Sequence, residues 1–371
     1  MIKKQLFLYS TMVATLVIAP GINQPSSANL PLITSPEFES LCRSGNRECA
    51  MIGKASHLTT QLIYELFDAE KNGNPTEMQQ AIANIATLYQ TESDAIKVVN
   101  TRLNLSDFFI LEKDQVLGGY AVFLSRGEII AGGIEKVSFV IGFKGLYPSL
   151  EDPNDIAVAL SALPEHLYHD AGALIHKGFR DYSGSVFNHQ ISQDMINSIR
   201  ELQNDPKTHV EIVVTGHSLG GSAILYAGML VDAGINPENL KVIVFGSGPV
   251  AQASFISQYP DLIPNIIRIE TPGDMLLYDD DSPMKPIYQS LGYVPFGRLI
   301  KATGSDRLNQ LNQQLAILQQ QQQISPSPDF DTKRLNLLQQ ILQERVAIHV
   351  YSYRYYYQIY RSHQGGGGSL W

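Results

Sequence analysis

The segment Val210-Glu211-Ile212-Val213-Val214-Thr215-Gly216-His217-Ser218-Leu219-Gly220-Gly221 sets a serine between two patterns of different period. Val210 to Val214 is short and β-branched, as a buried strand requires, whereas Gly221 to Asp232 carries Ala, Leu and Met at helical spacing. Ser218 therefore caps a strand-to-helix turn. Gly216 and Gly220 stand two residues before and two after it. Small residues at that spacing relieve a crowded elbow and leave the serine Oγ exposed above the sheet. The turn also aims the free N–H groups of a helix N-terminus at the serine, where they can hold a developing oxyanion. A dinucleotide loop would read G-x-G-x-x-G and a phosphate loop would end in Gly-Lys-Ser/Thr; the segment has neither.

A serine hydroxyl becomes a nucleophile only when a base takes its proton, and the base needs a third group to orient it. On a strand–elbow–helix unit the acid and the base follow the serine in that chain order, at strand ends. Asp274 fits the acid: it follows the strand-like Ile266-Ile267-Arg268-Ile269 through the turn Thr271-Pro272-Gly273. Asp279, Asp280 and Asp281 are its rivals, and three adjacent acids read more readily as a solvated cluster. Only His349 and His363 come later, and His349 is the better base because His363 adjoins a glycine tail. His217, next to the serine, is expected to leave the elbow in the opposite direction and to pack or hydrogen-bond beneath the turn.

The chain has 371 residues, enough for one large α/β domain with additions. Its formal charge of −9 provides no basic footprint, so no nucleic-acid partner is expected. Residues 1–28 predict a secretory signal: Lys3 and Lys4, an apolar run from Leu6 to Ala19, then Ser26-Ser27-Ala28 as a cleavage site. The protein is then secreted or periplasmic; retention of this segment as an N-terminal membrane anchor is the alternative. Cys42 and Cys49, with six residues between them and no other cysteine in the chain, suit a local disulfide better than a metal site.

Residues 29–115 are expected to form an N-terminal arm and helical lead-in, with helices over His57 to Phe67 and Met78 to Tyr89 broken at Asn72-Gly73-Asn74-Pro75. The main domain, 116–364, opens with strands at Gly119–Leu124, Glu128–Ala131 and Val137–Phe143. It continues with helix Gln190–Leu202 and further strands at Val242–Phe245 and Ile266–Ile269. Strands alternating with helices imply a mostly parallel sheet with helices on both faces. Leu308, Leu311, Leu315 and Leu318, then Leu335, Leu338 and Leu342, recur at helical intervals around Ser325-Pro326-Ser327-Pro328. They predict a helical hairpin insertion over 305–346 whose leucine seam packs on itself, on the body or on a second subunit. Residues 365–371, with Gly365-Gly366-Gly367-Gly368-Ser369, read as a flexible tail.

Taken together these motifs resemble the fungal-type class 3 lipases. The likeness runs from about Val137 to Asp274 and then to His349. Val210 to Gly221 is similar to that family's nucleophile segment, and Phe143-Lys144-Gly145 to its Phe-Arg-Gly oxyanion strand. His176-Lys177-Gly178-Phe179 resembles its His-x-Gly-Phe element, and Val244 to Pro249 its Phe-Gly-x-Pro segment with one residue added. Arg268 to Leu276 resembles its Arg…Asp acid segment. Two positions depart from the family: Leu146 stands where a Thr or Ser is usual, and Asp152-Pro153 where an Asp-Trp pair is usual.

The resemblance implies an α/β-hydrolase fold and a serine esterase acting on acyl esters, with Ser218, Asp274 and His349 as the triad. It implies the backbone N–H groups of Leu146 and Leu219 as the oxyanion hole, a lipid or acyl-ester substrate, transient contact with a lipid interface, and neither metal nor organic cofactor. A hydrolase-like scaffold without activity is the alternative from a different class. It also implies a lid over Glu151 to Gly172, where Ile156, Leu160 and Leu163 repeat on one face before Pro164.

Overall fold

The computed structural model describes residues 33–102, 118–145, 163–168, 171–280, 282–324 and 329–363. The expected signal at 1–28, the oxyanion residue Leu146, Asp281, most of the expected lid and the tail at 365–371 lie outside them. Among the described residues no helix is long and apolar enough to cross a membrane.

Among the described residues there are nine strands: β1 Ile96–Asn100, β2 Tyr120–Ile129, β3 Glu135–Phe143, β4 Pro164–Tyr168, β5 Ala171–His176, β6 Thr208–His217, β7 Leu240–Phe245, β8 Ile266–Glu270 and β9 Arg298–Lys301. Seven form one sheet in the order β1-β2-β3-β6-β7-β8-β9, and β4 and β5 pair as a separate hairpin. From β3 to β9 every neighbour is parallel, while β1 and β2 are antiparallel additions at one edge. This is the mostly parallel α/β sheet that the strand–helix alternation implied.

The central strands are buried on both sides, so their alternate side chains feed two cores. Val210, Ile212 and Val214 of β6, with Val242 and Val244 of β7, face helices α5 Lys177–Phe187, α6 Gln190–Leu202, α7 Ser222–Asp232 and α8 Ala253–Gln258. Val213, Ile243, Phe245, Ile267 and Ile269 point the other way. There they meet the lead-in helices α1 Pro36–Arg43, α2 Arg47–His57, α3 Ile63–Lys71 and α4 Pro75–Tyr89. The lead-in thus supplies a whole helical layer. Asn74 caps α4 by accepting from the Glu77 N–H, with Pro75 at the first position, where its missing N–H costs nothing. Cys42 and Cys49 are disulfide-bonded and tie α1 to α2.

Among the described residues the remaining α-helices are α9 Lys285–Ser290, α10 Asp306–Ile324, α11 Asp329–Tyr351 and α12 Arg354–His363. The tyrosines of α12 close the second core: Phe38 meets Tyr356 edge-on at 4.9 Å, and His57 stacks on Tyr357 at 3.8 Å. Ser56 Oγ donates to the Tyr353 carbonyl at 2.5 Å, and the Ser35 N–H donates to the Tyr355 hydroxyl at 3.1 Å. These contacts fasten the segment that follows His349 to the N-terminal layer.

Several sequence expectations need correction. Glu128–Ala131 is no separate strand: β2 runs unbroken to Ile129, and the turn comes later, at Ala131–Gly133. Residue 163 is an exposed bend and Pro164 opens β4, so the described end of the expected lid is a hairpin strand instead of a helix stop. The hairpin insertion extends past 346. Its second helix continues to Tyr351 and carries His349 in its last turn. The hairpin does pack on itself, but through Leu308 and Leu311 against Ile341 and Ile348, with Leu315 and Leu337 alongside. Leu335 and Leu338, expected in that seam, are 67% and 41% exposed.

Candidate active site

The C-terminal ends of the parallel strands lie along one edge of the sheet, and Ser218, Asp274 and His349 gather there. Ser218 follows β6 directly and has φ +58°, a left-handed conformation that residues with a Cβ rarely adopt. Such strain persists only where the surroundings enforce it. Gly216 allows the chain to fold back so tightly: a Cβ there would lie 1.9 Å from the Gly220 carbonyl oxygen. The turn Ser218–Gly221 then feeds α7, so Leu219 presents its N–H at the start of a helical segment, where such groups have no partner within the helix. Gly216 pairs with Phe143 of β3, which brings the Phe143-Lys144-Gly145 segment beside the elbow.

Asp274 and His349 reach the same point from β8 and α11. Ser218 Oγ lies 2.8 Å from His349 Nε2, and His349 Nδ1 lies 3.0 Å from both carboxylate oxygens of Asp274. All three are buried. With Nδ1–H donating to the carboxylate, Nε2 is left as the acceptor for the serine O–H, the tautomer that general-base work requires. The rivals stay apart from this chain. Asp279 pairs with Lys301 and Asp280 with Lys285, while His363 Nδ1 bonds the Ile359 carbonyl one turn back on α12.

One support, Tyr353, was not assigned from the sequence. Tyr353, fully buried, donates its hydroxyl to Asp274 Oδ2 at 2.7 Å and accepts from the Thr271 N–H at 3.3 Å. Burial and the adjacent carboxylate hold the phenol well above its ordinary range, so it remains a donor. The Leu276 N–H adds a bond to Oδ1 at 3.0 Å, so both carboxylate oxygens are fixed. Gly246 leaves room for this cluster: a Cβ there would lie 2.6 Å from the Tyr353 ring and 2.8 Å from Asp274 Oδ2. The only prior signal for Tyr353 was its place in the tyrosine-rich run after His349.

A second support is His217, which hydrogen-bonds beneath the turn as the sequence led us to expect. Its Nε2 lies 2.8 Å from the His349 carbonyl oxygen and its ring 4.9 Å from the His349 ring, so it holds His349 through the backbone. Burial, reinforced by the neighbouring His349, lowers its pKa to about 3, which keeps it neutral and a single N–H donor. Lys144 is fully buried, with Nζ donating to the Gly145 carbonyl at 2.9 Å and lying 4.5 Å over the Phe67 ring. His176 caps α5, its Nδ1 accepting from the Phe179 N–H at 3.4 Å. A separate shallow recess between Ile224, Arg268 and Phe296 includes none of Ser218, Asp274 and His349. Among the described residues no cluster of His, Cys, Asp and Glu is arranged to hold a metal.

Residues 140–276 match the family model described as lipase (class 3), the segment that holds Phe143-Lys144-Gly145, the elbow and Asp274. No curated protein matches the chain. Among solved structures it is similar to the triacylglyceride lipase of Rhizomucor miehei, at 18% identity and a TM-score of 0.46 over 73% of this chain and 82% of that one. The lipase of Rhizopus microsporus var. chinensis gives 15% identity and a TM-score of 0.41 over 76% and 80% of the two chains. Lipase II from Rhizopus niveus gives 17% and 0.37 over 72% and 81%.

Proposed function

Residues 140–276 belong to the class 3 lipase family and the chain is a serine-type carboxylic ester hydrolase; on that premise we propose that it is an exported enzyme cleaving acyl-lipid esters through Ser218, His349 and Asp274. The observation that carries the reading is the unbroken hydrogen-bonded chain from Ser218 Oγ through His349 to Asp274, begun by a serine at positive φ.

Ser218 Oγ attacks the ester carbonyl while His349 Nε2 takes its proton. Asp274 stabilises the imidazolium without accepting the proton itself. The tetrahedral oxyanion is held by the N–H groups of Leu219 and Leu146, whose donors cost no reorganisation as charge develops. Collapse expels the alcohol, protonated by His349, and leaves Ser218 acylated; water, activated by the same imidazole, releases the fatty acid. Tyr353 and His217 act as positioning residues, one through the carboxylate and the other through the backbone of the base. Export is supported by the signal-like composition of residues 1–28 and by the Cys42–Cys49 disulfide, a bond that persists in oxidising compartments.

A panel of triacylglycerol, phospholipid, galactolipid and a short soluble ester, assayed without added metal, tests the reading. Release of fatty acid from at least one acyl lipid and from the soluble ester is expected. Peptide cleavage without ester cleavage, or no ester turnover, contradicts it.

A further inference from the structure

We infer that the outer face of α11 is a docking surface for an uncharged or zwitterionic lipid aggregate, set on the helix that carries His349 so that docking aims the candidate site at its substrate. This rests on the reading of Ser218 as the nucleophile of an acyl-ester hydrolase. The helix has two apolar stripes. Leu337, Ile341 and Ile348 face α10 and close the hairpin seam. Leu335, Leu338 and Leu342 recur at intervals of three and four on a different face, and Leu335 and Leu338 are 67% and 41% exposed.

That second stripe is in register with the base. Leu335, Leu342 and His349 are seven residues apart, and a straight helix drifts only about 20° per heptad, so the three lie along one face. At about 1.5 Å per residue the stripe begins roughly 20 Å from the base and leads down to it. The topology fixes the side of the molecule: β6, β8 and β9 are parallel, and from their C-terminal ends come Ser218, Asp274 and the start of α10. The hairpin leaves the body at the edge where the site lies. It is held at its base by Ser305 Oγ on Glu344 Oε1 at 2.5 Å and by Arg345 Nη1 on the Gly273 carbonyl at 3.2 Å, beside Asp274.

Charge identifies the occupant. From Leu308 to Pro328 no residue is ionisable, and the next charges, Asp329, Asp331, Lys333 and Arg334, cancel. Ile317 and Ile324, also seven apart, are 54% and 84% exposed on α10. A protein of formal charge −9 presents here an arm without net charge, suited to a neutral interface and with nothing to gain from an anionic one.

The test places a reporter on the stripe. Leu335→Trp in the full chain, with the native Trp371 changed to Phe, is mixed with phosphatidylcholine vesicles. A blue shift of emission and quenching by brominated phosphatidylcholine are expected, little changed by salt. Leu335→Ser with Leu338→Ser is expected to cut hydrolysis of vesicle-borne ester about tenfold or more while short soluble ester turnover and circular dichroism stay as in the parent. Unchanged emission and quenching, or a double serine variant that works on vesicles at the parental rate, overturns the docking surface. So does a lipid-free blue shift that fades on dilution together with a dimer mass in light scattering, because a second copy then covers the stripe. Soluble-ester turnover in the parent separates the two readings: if it is absent the hydrolase reading fails, and the vesicle signal still decides the docking.

Discussion

Ser218→Ala is expected to lose ester turnover by a factor on the order of 10⁴ or more, with the circular dichroism spectrum unchanged. The serine is buried and its hydroxyl bonds His349 Nε2, and alanine keeps the Cβ that the left-handed elbow already tolerates. The loss is therefore chemical. It should fall on kcat, because the ester is held by other parts of the site while the attacking atom is gone. Turnover of a soluble ester measured beside the spectrum checks this, and an active variant contradicts the mechanism.

The second large effect concerns the pair behind the serine. Asp274→Asn and His349→Ala are each expected to lose turnover on the order of 10⁴-fold, and either combined with Ser218→Ala should add little, because all three serve one proton transfer. Asparagine in place of Asp274 removes the charge that stabilises the imidazolium and no longer dictates which imidazole nitrogen carries the proton. Tyr353→Phe grades the same argument. It removes one of the bonds to Asp274 and leaves the bond from Leu276, so the loss should be near tenfold. A dead His363→Ala beside an active His349→Ala would reassign the base; an essential Asp279 or Asp280 with a dispensable Asp274 would reassign the acid.

The elbow was legible in sequence because its signal is local: a strand of period two, glycines at fixed offsets and a helix of different period meet within a few residues. Chain order then selected Asp274 and His349, and the structure brings both to Ser218. What escaped reading depends on tertiary contacts. β9 buries only Ile300 of its four residues, and β1 is a five-residue edge strand, so neither carries a readable alternation. The strands expected at Gly119–Leu124 and Glu128–Ala131 are one, and Gly127 sits in its ladder opposite Val137. In α11 two leucine-rich stripes compete, and periodicity alone does not say which one meets α10. The structure gives that role to Leu337, Ile341 and Ile348. The lead-in helices carried helical periodicity, but that they cover one face of the sheet and grip the segment after His349 follows only from packing.

The central claim is that Ser218 is a nucleophile activated by His349 within an acyl-transfer site. An alkyl phosphonate ester traps such a serine as a stable adduct that mimics the tetrahedral intermediate. Intact-mass and peptide analysis of the treated protein measures it directly. The account predicts one adduct per chain, located on Ser218, formed in step with loss of ester turnover and absent in His349→Ala. An unmodified Ser218 in a folded protein, or loss of turnover with the adduct on another residue, would contradict it.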